Sequence, residues 1–473
     1  MEHLSPLDAG FLDAEDEDRH ASLAIASVAV VEGPMPDRDE FLRMLGERVP
    51  SIPRYRQKVR TVPFDLGQPV WVDDPRFDLD RHVLWTAIPE PTDDALCRLV
   101  ARIMSQRLDR DRPLWQCWVI KGLADGRWAI LSKVHHCMAD GLSGNQLYSL
   151  TFDDSPHDRR RSPGGPAPAW NPPPEPSTTR LTVLALADLA RTPMEQVRLV
   201  GRAMRTPAAL ARRVADTARG LTELAGVLRP VTRSSLSGPI GAQRRYGVAR
   251  ALLPDIVGTA RAFGVTVNDV VLSAVTGAFR ALLLHRDEQP VPDAVRSLVP
   301  VSVRAPDQGG VIDNRISMML PLLPVDVADP VERLGVVHVR LAALKASKEA
   351  EAGEAMTTLA RHEPFAPISW AVRFAARLPQ RNIVTVTTNV PGPPRTLYAL
   401  GRPIVEILPY VPIALRLRTG IAMLSYHGQL SFGITWDDDS TPEVELLAGA
   451  IERELAVLVA AARARADTAT QPG

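Results

Sequence analysis

His135 and His136 stand side by side in "KVHHCMADGLSG" (residues 133–144), with Asp140-Gly141 four residues beyond the second. An imidazole titrates near neutrality, so much of it is free to accept a proton, and the chemistry it offers is general base catalysis. Neighbouring residues of an extended strand point to opposite sides. One ring of the pair can therefore face a cleft while the other packs into its own domain. Asp140 is close enough in sequence for a turn to return its carboxylate to the histidines, and Gly141 permits backbone conformations that a side chain would hinder. A polar turn with hydrogen-bonded side chains accounts for a bare HHxxxDG as simply as catalysis does. Zinc is a poorer reading: adjacent histidines cannot easily share one ion, and no third ligand stands at a familiar spacing.

The elements around the pair are legible. "RWAILSKV" reads as a strand running into His135, and "GLSGNQLYSL" as the start of a helix, so the motif sits on a strand-to-helix turn. "SLAIASVAVVEG" reads as a core strand ending at Gly33, and "QCWVIKGL" as a partner for "RWAILSKV" across the turn residues of "LADGR". "DRDEFLRMLGERV" and "DALCRLVARIMSQRL" carry apolar residues at helical spacing, the second through Leu96, Leu99, Val100, Ile103 and Met104. After Asp154 a proline-dense stretch, "SPHDRRRSPGGPAPAWNPPPEPSTT", predicts a linker or surface loop. A helical, arginine-rich segment follows to Arg229. From about Pro239 strands resume in "AVRSLVPVSVR", "RISMMLPLLPV", "NIVTVTTNVPGP", "IAMLSY" and "QLSFGITW", with helices in "TVNDVVLSAVTGAFRALLLH" and "PEVELLAGAIERELAVLVAAAR". The expected architecture is α/β in two similar halves, residues 1–154 and 239–473, joined by a linker over 155–238.

Composition narrows the function. At 473 residues the chain exceeds one ordinary core, and 45% apolar with 23% charged residues is ordinary for a soluble globular protein. Lys+Arg and Asp+Glu both number 55, so no basic excess marks a nucleic-acid binder. Cys97, Cys117 and Cys137 form no CxxC pair, a poor disulfide or metal framework that fits a reducing compartment. No secretory signal opens the chain, and no run of about 18 apolar residues suggests a membrane span. The expected location is cytoplasmic. Residues 180–229 carry nine arginines against Asp188, Glu195, Asp216 and Glu223, a basic amphipathic stretch broken by Pro193 and Pro207. Such a stretch suits an anionic lipid surface, on the inner membrane face or a lipid droplet, or else a solvated face of helices packed between domains.

Across nearly its whole length the sequence resembles the bacterial wax ester synthase/acyl-CoA:diacylglycerol acyltransferase family, which shares the HHxxxDG box with chloramphenicol acetyltransferase and peptide-synthetase condensation domains. The matching blocks, in order, are "LSPLDAGFL", "YRQKVRTVPFDLGQPVWVDDPRFDLDRHV", "LDRDRPLWQCWVIKGLADGRWAILSKVHHCMADGLSG", "TVNDVVLSAV", "VPVSVR", "TTNVPGP" and "LSYHGQLSFGITWD". The resemblance implies two chloramphenicol-acetyltransferase-like domains with the active site in a channel between them. It implies an O-acyltransferase that joins a fatty acyl-CoA to a diacylglycerol or a long-chain alcohol, with acyl-CoA as substrate and neither metal nor bound cofactor. His136 would be the general base and His135 its buried support. Asp140 would orient the motif, paired with Arg304 of "VPVSVR", and Gly141 would complete the turn. Asn268 either offers an amide to the oxyanion or substrate, or caps its helix. "PLW" (113–115) is more often core, and Asn389, Pro391 and Gly392 read as a structural turn. The chain departs from the family in "DEDRHASLAIA", which lacks a Pro-Met-His element, and in "GVIDNRIS", where Asp313 precedes Asn314. Acyl-chain and alcohol preference stay open there. Two rivals stand beside this reading: a condensation-type acyltransferase using carrier-protein thioesters, and a catalytically silent acyl-lipid-binding protein.

Overall fold

The computed structural model describes residues 2–63, 66–138, 148, 151–156, 170–187, 231–302, 316–346, 383–414, 416–440 and 443–470. The first half carries strands β1 (Glu2–His3), β2 (Ala24–Val31), β3 (Gln57–Arg60), β4 (Val70–Asp73), β5 (Val83–Ala87), β6 (Trp115–Lys121) and β7 (Trp128–His135). Its helices are α1 (Pro6–Glu17), α2 (Arg38–Arg48), α3 (Asp93–Ser105) and α4 (Thr178–Ala187). The second half carries β8 (Arg244–Leu252), β9 (Ser297–Ser302), β10 (Ile316–Met319), β11 (Thr385–Pro391), β12 (Tyr398–Ala399), β13 (Arg402–Tyr410), β14 (Thr419–Tyr426) and β15 (Gln429–Asp437). Helices α5 (Leu253–Phe263), α6 (Val267–His285), α7 (Pro330–Ala346) and α8 (Val444–Thr470) accompany them.

Local chemistry sets where these elements start and stop. Ser5 caps α1 by accepting from Asp8 N, with Pro6 at the first helical position. Thr92 caps α3, two aspartates follow in its first turn, and its apolar stripe is buried as the spacing predicts. Gly264, at φ 68°, ends α5 in the left-handed conformation that glycine adopts without strain. The strands make two six-stranded sheets, ordered β12-β13-β2-β7-β6-β5 and β10-β9-β11-β14-β15-β8, and a small sheet β1-β4-β3. In the first sheet β2 and β7 run antiparallel with Ala24 opposite His135, so the histidine pair lies at the end of a central strand. Helix α6 is long and apolar enough to cross a membrane, yet Val270, Val271, Ala274, Val275, Ala278 and Phe279 are fully buried in the second core.

One strand pair crosses the division drawn in the sequence. β13 lies after residue 239 but hydrogen-bonds to β2, joining the first sheet while packing on β14 and β15 of the second. Its segment "RPIVEILPY" reads poorly as a strand because two prolines and a bulge between Ile404 and Glu406 interrupt it. Among the described residues Pro409 pairs with β2 and with no second strand, so its missing N–H is tolerated. The seam is close. Tyr246 Oη donates to Pro409 O at 2.8 Å, Tyr426 Oη to Ile404 O at 3.0 Å, and Arg250 makes a two-pronged pair with Glu406 at 2.6 and 3.1 Å. A Cβ on Gly433 would meet Pro409 O at 1.7 Å, so only glycine lets the two sheets approach here.

The proline-dense stretch is docked where it is described. Trp170 lies under the Arg56 guanidinium at 3.8 Å, and Glu175 pairs with Lys58 and Arg60 at 3.0 Å each. It straps α4 onto the small sheet, where Leu181 and Ala185 meet Val62, Val70 and Val72. The arginine-rich segment beyond residue 187 lies outside the described residues until Val231.

Candidate active site

β7 ends at His135, and the chain turns immediately into a 3-10 turn, His136–Met138. The two rings are thus separated by the change from strand to turn rather than by strand alternation alone. Three hydrogen bonds donated by main-chain N–H groups fix the corner: His135 N donates to Leu114 O at 2.9 Å, His136 N to Leu23 O at 3.0 Å, and Cys137 N to the His135 ring at Nδ1, 3.2 Å away. His135 is 1% exposed. His136 is half-buried, its ring stacked on Phe11 with centroids 3.8 Å apart. Burial first, and then the neighbouring His135, push the His136 imidazole down to about 4, because the charged form loses its solvation there. At neutral pH His136 is therefore a free base.

Helix α1 brings a residue to each histidine. Phe11 and Glu15, four apart, share a helical face, and Phe11 meets His136 while Glu15 meets His135. Glu15 is 1% exposed. Its Oε1 accepts from Leu23 N at 3.0 Å, and its Oε2 lies 2.9 Å from Arg110 Nη2 and 3.6 Å from His135 Nε2. Burial alone would raise its carboxyl. The adjacent His135 ring, the Leu23 N–H and Arg110 outweigh burial and hold it at about 2. Arg107 anchors the end of α1 by donating to the carbonyls of Glu15, Asp18 and Ala21. Sequence reasoning missed Phe11, Glu15 and Arg110 as neighbours of the histidines. The one available signal was the i, i+4 pairing of Phe11 with Glu15. It is faint, because Glu15 is one of five acids between Asp13 and Asp18.

Asp140, Gly141 and Arg304 lie outside the described residues. Asn268 is half-buried in the first turn of α6 but does not cap it. The cap is Thr266, whose hydroxyl accepts from Asp269 N while the Asp269 carboxylate accepts from Thr266 N at 2.8 Å. This corrects the capping alternative: the reciprocal pair already satisfies the helix end, so no cap role is left for Asn268. No described hydrogen bond or ring contact joins Asn268 to His136. "PLW" is core, as its composition predicts: Leu114 and Trp115 are buried, and the Trp115 indole N–H donates to Tyr55 O. Asn389 and Pro391 are residues of β11 rather than of a turn, and Gly392 follows where a Cβ would meet Ser425 O at 2.1 Å. Among the described residues no group of three or more His, Cys, Asp or Glu is placed to hold a metal ion.

Comparison with known proteins decides what this corner belongs to. The model of the wax ester synthase/diacylglycerol acyltransferase catalytic domain matches residues 4–271, and that of the family's C-terminal domain matches 312–458. The chain belongs to the wax ester synthase/diacylglycerol acyltransferase family. A Mycobacterium tuberculosis relative named "Probable diacyglycerol O-acyltransferase tgs1" is 45% identical over 467 residues, covering 98% of this chain and 97% of that protein. The wax ester synthase/diacylglycerol acyltransferase from Marinobacter aquaeolei VT8 superposes with a TM-score of 0.65 at 24% identity, covering 98% and 100% of the two chains. A starter condensation domain of rhizomide synthetase, in complex with C8-CoA, gives a TM-score of 0.55 at 15% identity over 98% and 95%. The fold is thus the paired, condensation-like α/β arrangement that the sequence resemblance implied. As a member of this wax ester synthase/diacylglycerol acyltransferase family, the chain is an acyltransferase.

Proposed function

We propose that His136 is the general base of transfer of a fatty acyl group from acyl-CoA to the hydroxyl of a diacylglycerol, giving triacylglycerol, with long-chain alcohols as acceptors for wax esters. The observation that supports this most directly is a half-buried imidazole, fixed at its main chain on both sides and uncharged at neutral pH. His136 takes the proton from the acceptor hydroxyl as its oxygen attacks the thioester carbonyl and the new C–O bond forms. The tetrahedral intermediate collapses, the C–S bond breaks, and the imidazolium returns the proton to the thiolate, releasing the ester and coenzyme A. This proton balance needs neither a metal nor a resident cofactor. Asn268 is the side-chain amide proposed to serve the oxyanion or substrate, and Asp140 with Arg304 is proposed to brace the turn.

Purified protein with radiolabelled palmitoyl-CoA, offered dioleoylglycerol and hexadecanol in separate reactions, tests this reading. We expect labelled ester from the wild type and a fall of roughly a hundred- to ten-thousandfold in kcat for His136→Ala. Binding of acyl-CoA without any ester from the wild type would favour the silent binder or a carrier-protein substrate.

The place of action proposed is the cytoplasmic face of a membrane or lipid droplet. Helix α4 supports it: Leu181 and Ala185 face inward while Val183, Leu184 and Leu186 stand 43–59% exposed, at the start of the arginine-rich segment. Flotation with anionic liposomes should recover the protein, and substituting those three residues by serine should reduce recovery. Equal recovery would remove the lipid-surface role.

A further inference from the structure

The pair of histidines is held by more than its own turn. Cys137 N can only donate, so the His135 Nδ1 that it reaches at 3.2 Å is an acceptor and carries no hydrogen. The ring hydrogen of the neutral imidazole then lies on Nε2. That atom is buried, with no described hydrogen-bond acceptor in range, and the Glu15 carboxylate stands 3.6 Å from it. The carboxylate is itself clamped: Leu23 N donates to one oxygen and Arg110 to the other, while Arg110 also reaches Asp16 and Leu12 O. Leu23 is the residue whose carbonyl accepts from His136 N. Glu15 therefore touches both strands of the corner, through Leu23 on β2's approach and through His135 on β7.

We propose that Glu15 is a positioning residue for the base: its carboxylate selects the Nε2–H tautomer of His135, whose Nδ1 then anchors Cys137 N and fixes the turn that presents His136. The role of His136 as base is taken from the reading above. Without the carboxylate, Nδ1–H becomes the competing tautomer. That form turns a donor toward the Cys137 N–H and breaks the corner one residue from the base. Phe11, one turn earlier on the same helix, stacks on the His136 ring, so α1 as a unit aims the base.

The test uses Glu15→Gln, which keeps shape and the acceptor for Leu23 but presents a donor to His135. We expect kcat to fall roughly tenfold or more while KM for acyl-CoA stays within about twofold. In protein carrying 15N-histidine, the His135 Nδ1 signal should change from the unprotonated to the protonated kind. The double variant Glu15→Gln/His135→Gln should be no slower than His135→Gln alone, because Glu15 acts through that ring. If an unpaired Arg110 prevents folding, Glu15→Gln/Arg110→Gln removes both charges and keeps the tautomer and kcat readouts. Unchanged kcat with the wild-type tautomer, or losses that multiply in the double variant, would overturn the proposal. Ester synthesis that survives His136→Ala would overturn the base reading instead, while the tautomer signal still decides whether Glu15 governs His135.

Discussion

At the residue scale the decisive quantity is the charge state of two groups, the half-buried His136 and the buried Glu15. The unfolded chain protonates His136 near 6.5, whereas the folded protein holds its imidazole down to about 4. Between those values the unfolded state binds more protons, so this residue makes stability fall as pH drops from about 6.5 toward 4. Urea unfolding across that range should show a shallower fall for His136→Gln than for the wild type, by about 3 kcal/mol at most. The same shift places the acid limb of kcat/KM well below 6.5; a limb at 6.5 or above would contradict a desolvated base. Glu15 works in a lower window. Its carboxyl, held at about 2, contributes stability that is complete above the unfolded value of 4.5 and is lost as pH falls toward 2.

Elements rather than single residues decide which side chains meet. The apolar spacing of α3 and the strand character of β7 were legible because each buries one regular face, and periodicity reports such faces directly. α1 was not legible as part of the site. Its acidic run resembles a solvated surface helix, and only the tertiary packing shows that two carboxylates of that run, Asp13 and Glu15, are buried. The start of α6 shows the converse: Asn268-Asp269 was readable as a helix beginning, but the cap two residues before Asn268 was not distinguished. Thr266→Ala removes half of the reciprocal cap and should lower stability by about 1 kcal/mol in denaturant melts. Asp269 also accepts from or pairs with His338 of α7 at 2.8 Å, so its replacement loosens a helix-to-helix contact in addition.

For the whole molecule the seam between the two sheets sets the tolerance to change. Gly433→Ala would force a Cβ against the Pro409 carbonyl, and backbone there cannot swing aside as a flexible side chain can. A loss of about 1–3 kcal/mol is expected, read as a lower unfolding midpoint. Gly258→Ala, within α5 where an added Cβ meets nothing within 4 Å, should instead stabilise by about 0.5–1 kcal/mol. Opposite signs for these two glycines would show that close approach of the sheets, rather than glycine content, governs the difference.

The sequence by itself determined the α/β pattern, the strand leading into His135-His136 and, through ordered motif blocks, the family. These are properties of local periodicity and residue order, which survive without coordinates. Tertiary structure alone decided that β13 joins the first sheet and that Glu15 lies beside His135. Each depends on contacts between residues 90 or more positions apart, which spacing along the chain does not record, whereas the Thr266–Asp269 cap of α6 is local.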